Sequence, residues 1–300
     1  MATSSSKKVI YAALAGNGLI AATKFTAALL TGSSAMMAEG IHSLVDTGNQ
    51  GLLLYGLHRA RRPADERFPF GHGKEVYFWS FVVAILIFAA GAGLSAYEGL
   101  QQVLHPQPVG DPRLNYIVLG FALVFEGGAW WIALQTFRRA KGTWGYVEAV
   151  QRGKDPSLFV VLFEDSAAML GLLVAAAGIY LSARTGDPVY DGIASLCIGA
   201  ILAATAAWLA YETKGLLIGE SANRRVVQGI RALVARCPEV EAVKELLTMH
   251  MGPDFVLVNL AVRFQNHIRA DRMAETVQHI SDKIKAAYPE VKRVFIEAET

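Results

Sequence analysis

VYFWSFVVAILIFAAGAGLSAYE, residues 76–98, carries no charge until its last residue, Glu98. As an α-helix rising about 1.5 Å per residue it matches the roughly 30 Å hydrocarbon core of a bilayer. So long an apolar run reads as a membrane span. Five further runs of similar length lie at 9–31, 34–57, 114–137, 157–183 and 190–211, which makes six crossings and returns the chain to its starting side. The first of them is too long for a signal-peptide core and lacks a small-residue cleavage pattern, so it is expected to stay in the mature protein.

Composition agrees with a membrane protein. The 300 residues are 53% hydrophobic and 18% charged, where soluble domains carry about 25% charged residues. A net charge of +2 is far from the basic surface a nucleic-acid binder needs, so no nucleic-acid partner is expected. The two cysteines, Cys197 and Cys237, cannot make a disulfide framework or a paired-cysteine zinc site, which leaves metal binding to His, Asp and Glu. There is no HisGluXxxXxxHis pair, no nucleophile with a nearby base and no phosphate-binding loop, so an enzyme is not expected.

Loop charges give the orientation. Lys7, Lys8, Arg59, Arg61, Arg62, Arg67, Lys74, Arg138, Arg139, Lys141, Arg152 and Lys154 fall on one side of the six spans, against Arg113 and Arg184 on the other. Both termini are therefore expected in the cytoplasm or its organellar equivalent. Tyr77, Trp79, Trp144 and Tyr190 stand near span ends, where aromatic residues favour the interface.

After Tyr211 no run can cross a bilayer, and the chain divides into a membrane domain, 1–211, and a tail, 212–300. Helical spacing at 223–236, strand-like alternation at 241–251 and 254–264, an amphipathic helix at 269–287 and a strand at 293–297 give the order αββαβ. The fold expected is an α-helical membrane protein with six transmembrane helices plus a small α+β domain with helices on one face of a sheet.

Ionisable residues at membrane depth are costly and mark functional sites by default. Residues 38–50 place Glu39, His42 and Asp46 at offsets of three and four, on one helical face. In the fifth span Glu164 and Asp165 are adjacent, about 100° apart around a helix, so one of them points at a shared centre. An imidazole with carboxylates from a facing helix is ligand chemistry for Zn²⁺ that also admits Mn²⁺, Fe²⁺ or Co²⁺. Glu39 is open between ligation and helix packing. Glu126, in the fourth span, is open between carrying protons, approaching the metal and bonding to backbone. Lys24, in the first span, snorkels or pairs with a carboxylate. Gly91, Ala92, Gly93, Gly127 and Gly128 suit close helix packing.

Three stretches together carry a resemblance: residues 34–46 (SerAlaMetMetAlaGluGlyIleHisSerLeuValAsp), 65–76 (AspGluArgPheProPheGlyHisGlyLysGluVal) and 216–222 (LeuLeuIleGlyGluSerAla). With six spans and the αββαβ tail they resemble the cation diffusion facilitator family over nearly the whole chain. The resemblance implies a homodimer that exports a divalent cation from the cytoplasm in exchange for protons, by alternating access. The cation it implies is most often Zn²⁺, with Mn²⁺, Fe²⁺, Co²⁺ and Cd²⁺ open, and no cofactor is expected. It also implies a transport site built from His42 and Asp46 with Asp165. The fourth position of that pattern is Val161, which cannot ligate, and Glu164, Glu126 or water stands as its replacement.

The loop after the second span holds another metal in some relatives; Asp65 and His72 match that pattern, but Phe68 stands at the intervening position, so a structural loop is expected. The resemblance further pairs Lys74 with acid near the dimer interface and makes the tail a metallochaperone-like domain for dimerisation and regulation. At its usual ligand positions stand Asn259 and Ala274, so His250, His267 and His279 are expected at the surface. The rival reading is a membrane scaffold or metal sensor that keeps the fold while Val161 has broken the site. With no presequence evident in Met1–Lys8, an integral, multi-pass protein of the bacterial inner membrane is expected.

Overall fold

The computed structural model describes residues 4–108, 110–142, 145, 146, 149 and 156–299; Trp144, Arg152 and Lys154, which entered the sequence reading, lie outside them. The chain forms two compact units, Met1–Leu57 with Phe78–Thr213, and His58–Tyr77 with Lys214–Thr300.

The first unit is helical. Its elements are α1 (Ser4–Thr31), α2 (Ser34–Ala60), a third crossing made of α3 (Glu75–Leu86), a π-helical turn (Ile87–Ala92) and α4 (Gly93–Leu104), then α5 (Pro112–Lys141), α6 (Pro156–Thr185) and α7 (Val189–Ile218). Glu75–Leu104, Pro112–Arg139, Phe159–Thr185 and Val189–Ile218 are each long and apolar enough to cross a membrane. Helices α1 and α2 are as long, at 28 and 27 residues; in α2 the residues Glu39, His42, Asp46, Asn49 and Gln50 dilute the hydropathy. The six expected crossings are thus present as six long helical stretches.

Local chemistry sets the ends. Asp111 caps α5, its side chain accepting from Arg113 N at 2.9 Å with Pro112 at the first helical position. In the third crossing the Gly93 N–H reaches back to Phe88 O, one residue further than an α-helix allows. Gly91 and Ala92, read from sequence as packing residues, are buried in this turn.

Burial is arranged for lipid. Leu29, Leu30, Phe88, Phe121, Val124 and Phe125 are exposed, while Lys24, Glu39, His42, Asn49, Asn115, Glu164 and Asp191 are buried. Apolar groups outward and polar groups inward is the arrangement a hydrocarbon surround requires.

In the second unit α8 (Arg224–Ala235), β1 (Val240–Gly252), β2 (Phe255–Phe264), α9 (Ala270–Ala287) and β3 (Val291–Glu299) reproduce the expected αββαβ order. The sheet runs β1-β2-β3, with β2 central, antiparallel to β1 and parallel to β3. Period-two alternation in β2 sends Val256, Val258, Leu260 and Val262 into one core with Ile230 and Val234 of α8 and Ile280 and Ile284 of α9. On the opposite sheet face Leu247, Asn259 and Phe295 stand side by side in register, and all three are exposed.

The segment after α2 folds with this unit. Asp65 Oδ1 accepts from Phe68 N at 2.7 Å and Asp65 N donates to Phe68 O at 3.2 Å, closing a tight turn. Lys74 Nζ reaches Met249 Sδ at 3.8 Å. Of the tail histidines, His267 and His279 are exposed as expected. His250 is buried instead, because its place on β1 turns the side chain inward, with Nδ1 3.4 Å from Gly252 O.

Candidate metal site within the membrane

Helix α2 carries the polar face that defines the site. Its four-residue spacing sets His42 Nε2 3.4 Å from Asp46 Oδ2. His42 is 1% exposed, and neither ring nitrogen has a hydrogen-bond partner. A dry imidazole without a hydrogen-bond partner costs free energy, and one of its ring nitrogens could serve as a metal ligand. Asp46 Oδ1 is likewise buried without a partner.

Asp46 opens onto a cavity of about 250 Å³ between helices. Asp165 of α6 and Glu126 of α5 line the same cavity, and so do Val161, Asn17 and Gln50. Asn17 Nδ2 donates to Gln50 Oε1 at 3.0 Å, tying α1 to α2 at its wall. Trp130 Nε1 donates to Ser166 Oγ at 3.0 Å, holding α5 against α6 one residue beyond Asp165. Val161, one turn before Asp165, presents only methyl groups to this space.

Among the described residues no three His, Cys, Asp or Glu side chains already converge closely enough to hold an ion. Asp46, Asp165 and Glu126 instead line one cavity, with His42 beside it against Asp46.

The adjacent acids of α6 part as a helical rotation of about 100° demands. Asp165 faces the cavity, whereas Glu164 is 4% exposed and accepts from Asn49 Nδ2 at 2.8 Å. Glu39 and Glu126 meet Lys24: its ammonium reaches Glu39 Oε2 at 2.9 Å, Glu126 Oε1 at 2.7 Å and Ser43 Oγ at 2.8 Å. Asp65 and His72 belong to the other unit. There His72 Nε2 is 3.6 Å from Asp65 Oδ2, and Nδ1 lies 3.2 Å from Pro63 O. Asp65 is mostly exposed and already serves the turn to Phe68, which fits a structural loop.

Two features of the site were not read from the sequence. Asp191, buried in the first turn of α7, accepts from Ser33 Oγ at 2.6 Å and from Ser34 N and Oγ at 2.5 and 2.9 Å, and so caps the helix that bears His42 and Asp46. The pairing of Lys24 with two carboxylates at once is the other. A lone lysine amid an apolar run signals a buried partner, but which one depends on helix packing.

The chain matches the model of the cation efflux transmembrane domain over residues 10–218 and that of the cation efflux protein cytoplasmic domain over 223–300. It is 38% identical over 264 residues to the proton-coupled zinc antiporter SLC30A9, mitochondrial, of Mus musculus, covering 87% of this chain and 46% of that protein. It is 31% identical over 250 residues to metal tolerance protein C4 of Arabidopsis thaliana, covering 83% and 55%. With the cation-efflux pump FieF of Escherichia coli O127:H6 it shares 27% identity over 283 residues, 89% of each. The chain thus spans about half the length of the first two relatives and nearly all of the third.

Proposed function

The chain belongs to the cation efflux family, and from that premise we propose that it is a secondary transporter exchanging a divalent cation for protons across its membrane. The observation that carries this reading is the cavity shared by Asp46 of α2 and Asp165 of α6, with the unpaired His42 imidazole against Asp46. His42, Asp46 and Asp165 are the proposed ligands. Glu126 supplies the remaining carboxylate: it lines the cavity, and its Oε2 is buried and unpartnered. It takes the part that Val161 cannot play, which weighs against a scaffold or sensor with a broken site. Glu164, occupied by Asn49, orients α6 against α2.

Exchange follows from ligand chemistry. His and carboxylate groups bind metal only when deprotonated, so cation and protons compete for the same atoms. Protons entering from the far side release the metal, and their gradient drives it uphill. The basic loops support metal uptake from the cytoplasmic face. One imidazole among carboxylates admits Zn²⁺ first, with Mn²⁺, Fe²⁺, Co²⁺ and Cd²⁺ as competitors.

The protein works as a homodimer in this proposal. The exposed sheet face of Leu247 and Phe295 supplies an apolar surface for a second copy. It spans the membrane several times, and the membrane proposed is a proton-energised one, the bacterial inner membrane. The SLC30A9 relative is named as mitochondrial.

Transport by reconstituted protein, with Zn²⁺ challenged in turn by Mn²⁺, Fe²⁺, Co²⁺ and Cd²⁺, tests the reading. Zn²⁺ flux should fall at least tenfold in His42→Ala and be inhibited by the ions that share the site. Absence of flux for all five cations would reject it.

A further inference from the structure

Lys24 is a cation placed inside the membrane beside a site proposed for cations. It is 0% exposed, as is Glu39. An ammonium has three N–H donors, and here all three have an oxygen at 2.7–2.9 Å: Glu39 Oε2, Ser43 Oγ and Glu126 Oε1. The cluster joins α1, α2 and α5 with two carboxylates around one positive charge.

Two more oxygens of the same carboxylates, Glu39 Oε1 and Glu126 Oε2, are buried with no hydrogen-bond partner. The surroundings therefore offer more oxygen than an ammonium can satisfy. Helix α6 makes room for one of them: a Cβ on Gly171 would collide with Glu39 Oε1. Carboxylates and a hydroxyl, with no nitrogen or sulfur, suit a hard divalent ion such as Mn²⁺ or Mg²⁺.

We propose that Lys24 is a tethered cation filling a second cation position next to the transport cavity, whose oxygens would otherwise hold a hard divalent ion. Its charge limits the protein to one divalent ion at a time. It also holds Glu126 by one oxygen and leaves the other without a hydrogen-bond partner, so the inference rests on the transport site proposed above only in sharing Glu126. Lys24 is in this sense a stoichiometry-determining residue.

The test counts Mn²⁺ bound to the purified full-length protein, reading free Mn²⁺ by electron paramagnetic resonance. The native protein should bind one ion per protomer, Asp46→Asn/Asp165→Asn none, Lys24→Met two, and the triple variant one. Lys24→Arg, which keeps a cation in place, should stay at one. If Lys24→Met does not fold, Lys24→Gln is counted in its place. A triple variant that binds no more Mn²⁺ than the double variant overturns the inference. A double variant that retains its ion instead contradicts the Asp46 and Asp165 site, while the extra ion on removing Lys24 still decides the second position.

Discussion

Asp191 of α7 holds Ser34 of α2 by both its backbone N–H and its hydroxyl. One carboxylate from the last crossing thus caps the helix on which His42 and Asp46 stand, and it does so fully buried. Asp191→Ala should cost about 1–3 kcal/mol, since a cap and charged hydrogen bonds are lost and the donors are left dry. Thermal unfolding in detergent checks this: the midpoint should fall, and fall less in Asp191→Asn.

Glu39 depends on a glycine from another helix. A methyl group on Gly171 would meet Glu39 Oε1 and push it from Lys24. Gly171→Ala should therefore destabilise by about 1–3 kcal/mol, the usual cost of overpacking. Gly120→Ala is the control, because nothing lies within 4 Å of a Cβ there. Equal thermal midpoints for the two variants would contradict the packing described.

Val161 lines the cavity without a ligand atom. Val161→Asp should restore a carboxylate one turn before Asp165 and tighten Zn²⁺ binding about tenfold, or 1.4 kcal/mol. It should also make Glu126→Gln tolerable, since the replaced group is then supplied from α6. Competition titration against a chelating dye measures both effects.

Leu247 and Phe295 are exposed at 53% and 51% on one sheet face, joined through Asn259. Leu247→Glu with Phe295→Glu should shift the full-length protein from dimer toward monomer, because like charges replace an apolar contact. Light scattering on the detergent-solubilised protein reads the change in mass.

The six crossings and the αββαβ order were legible because hydrophobic periodicity is a local signal. Helix α2 showed its polar face for the same reason: offsets of three and four hold on any helix. What required the fold were partners distant in the chain. Lys24 and Glu126 are 102 residues apart, and Ser34 and Asp191 are 157 apart. By sequence Asp191 is only an acid in the first turn of a helix, a common placement near the positive end of the dipole. The π-helical turn at Ile87–Ala92 was invisible because apolar residues such as Ile87, Phe88 and Ala89 carry the same hydropathy in either helix. The rotation between Glu164 and Asp165 was calculable, but which of them faces the cavity was set by Asn49 and the packing of α5.

Proton movement coupled to metal is the most direct measure of the exchange site. Proteoliposomes loaded with a pH-sensitive dye and given a Zn²⁺ gradient should show proton flux opposite to Zn²⁺, lost at least tenfold in Asp46→Ala and in Asp165→Ala. Unchanged metal-driven proton flux in both variants would contradict a site built on these two carboxylates.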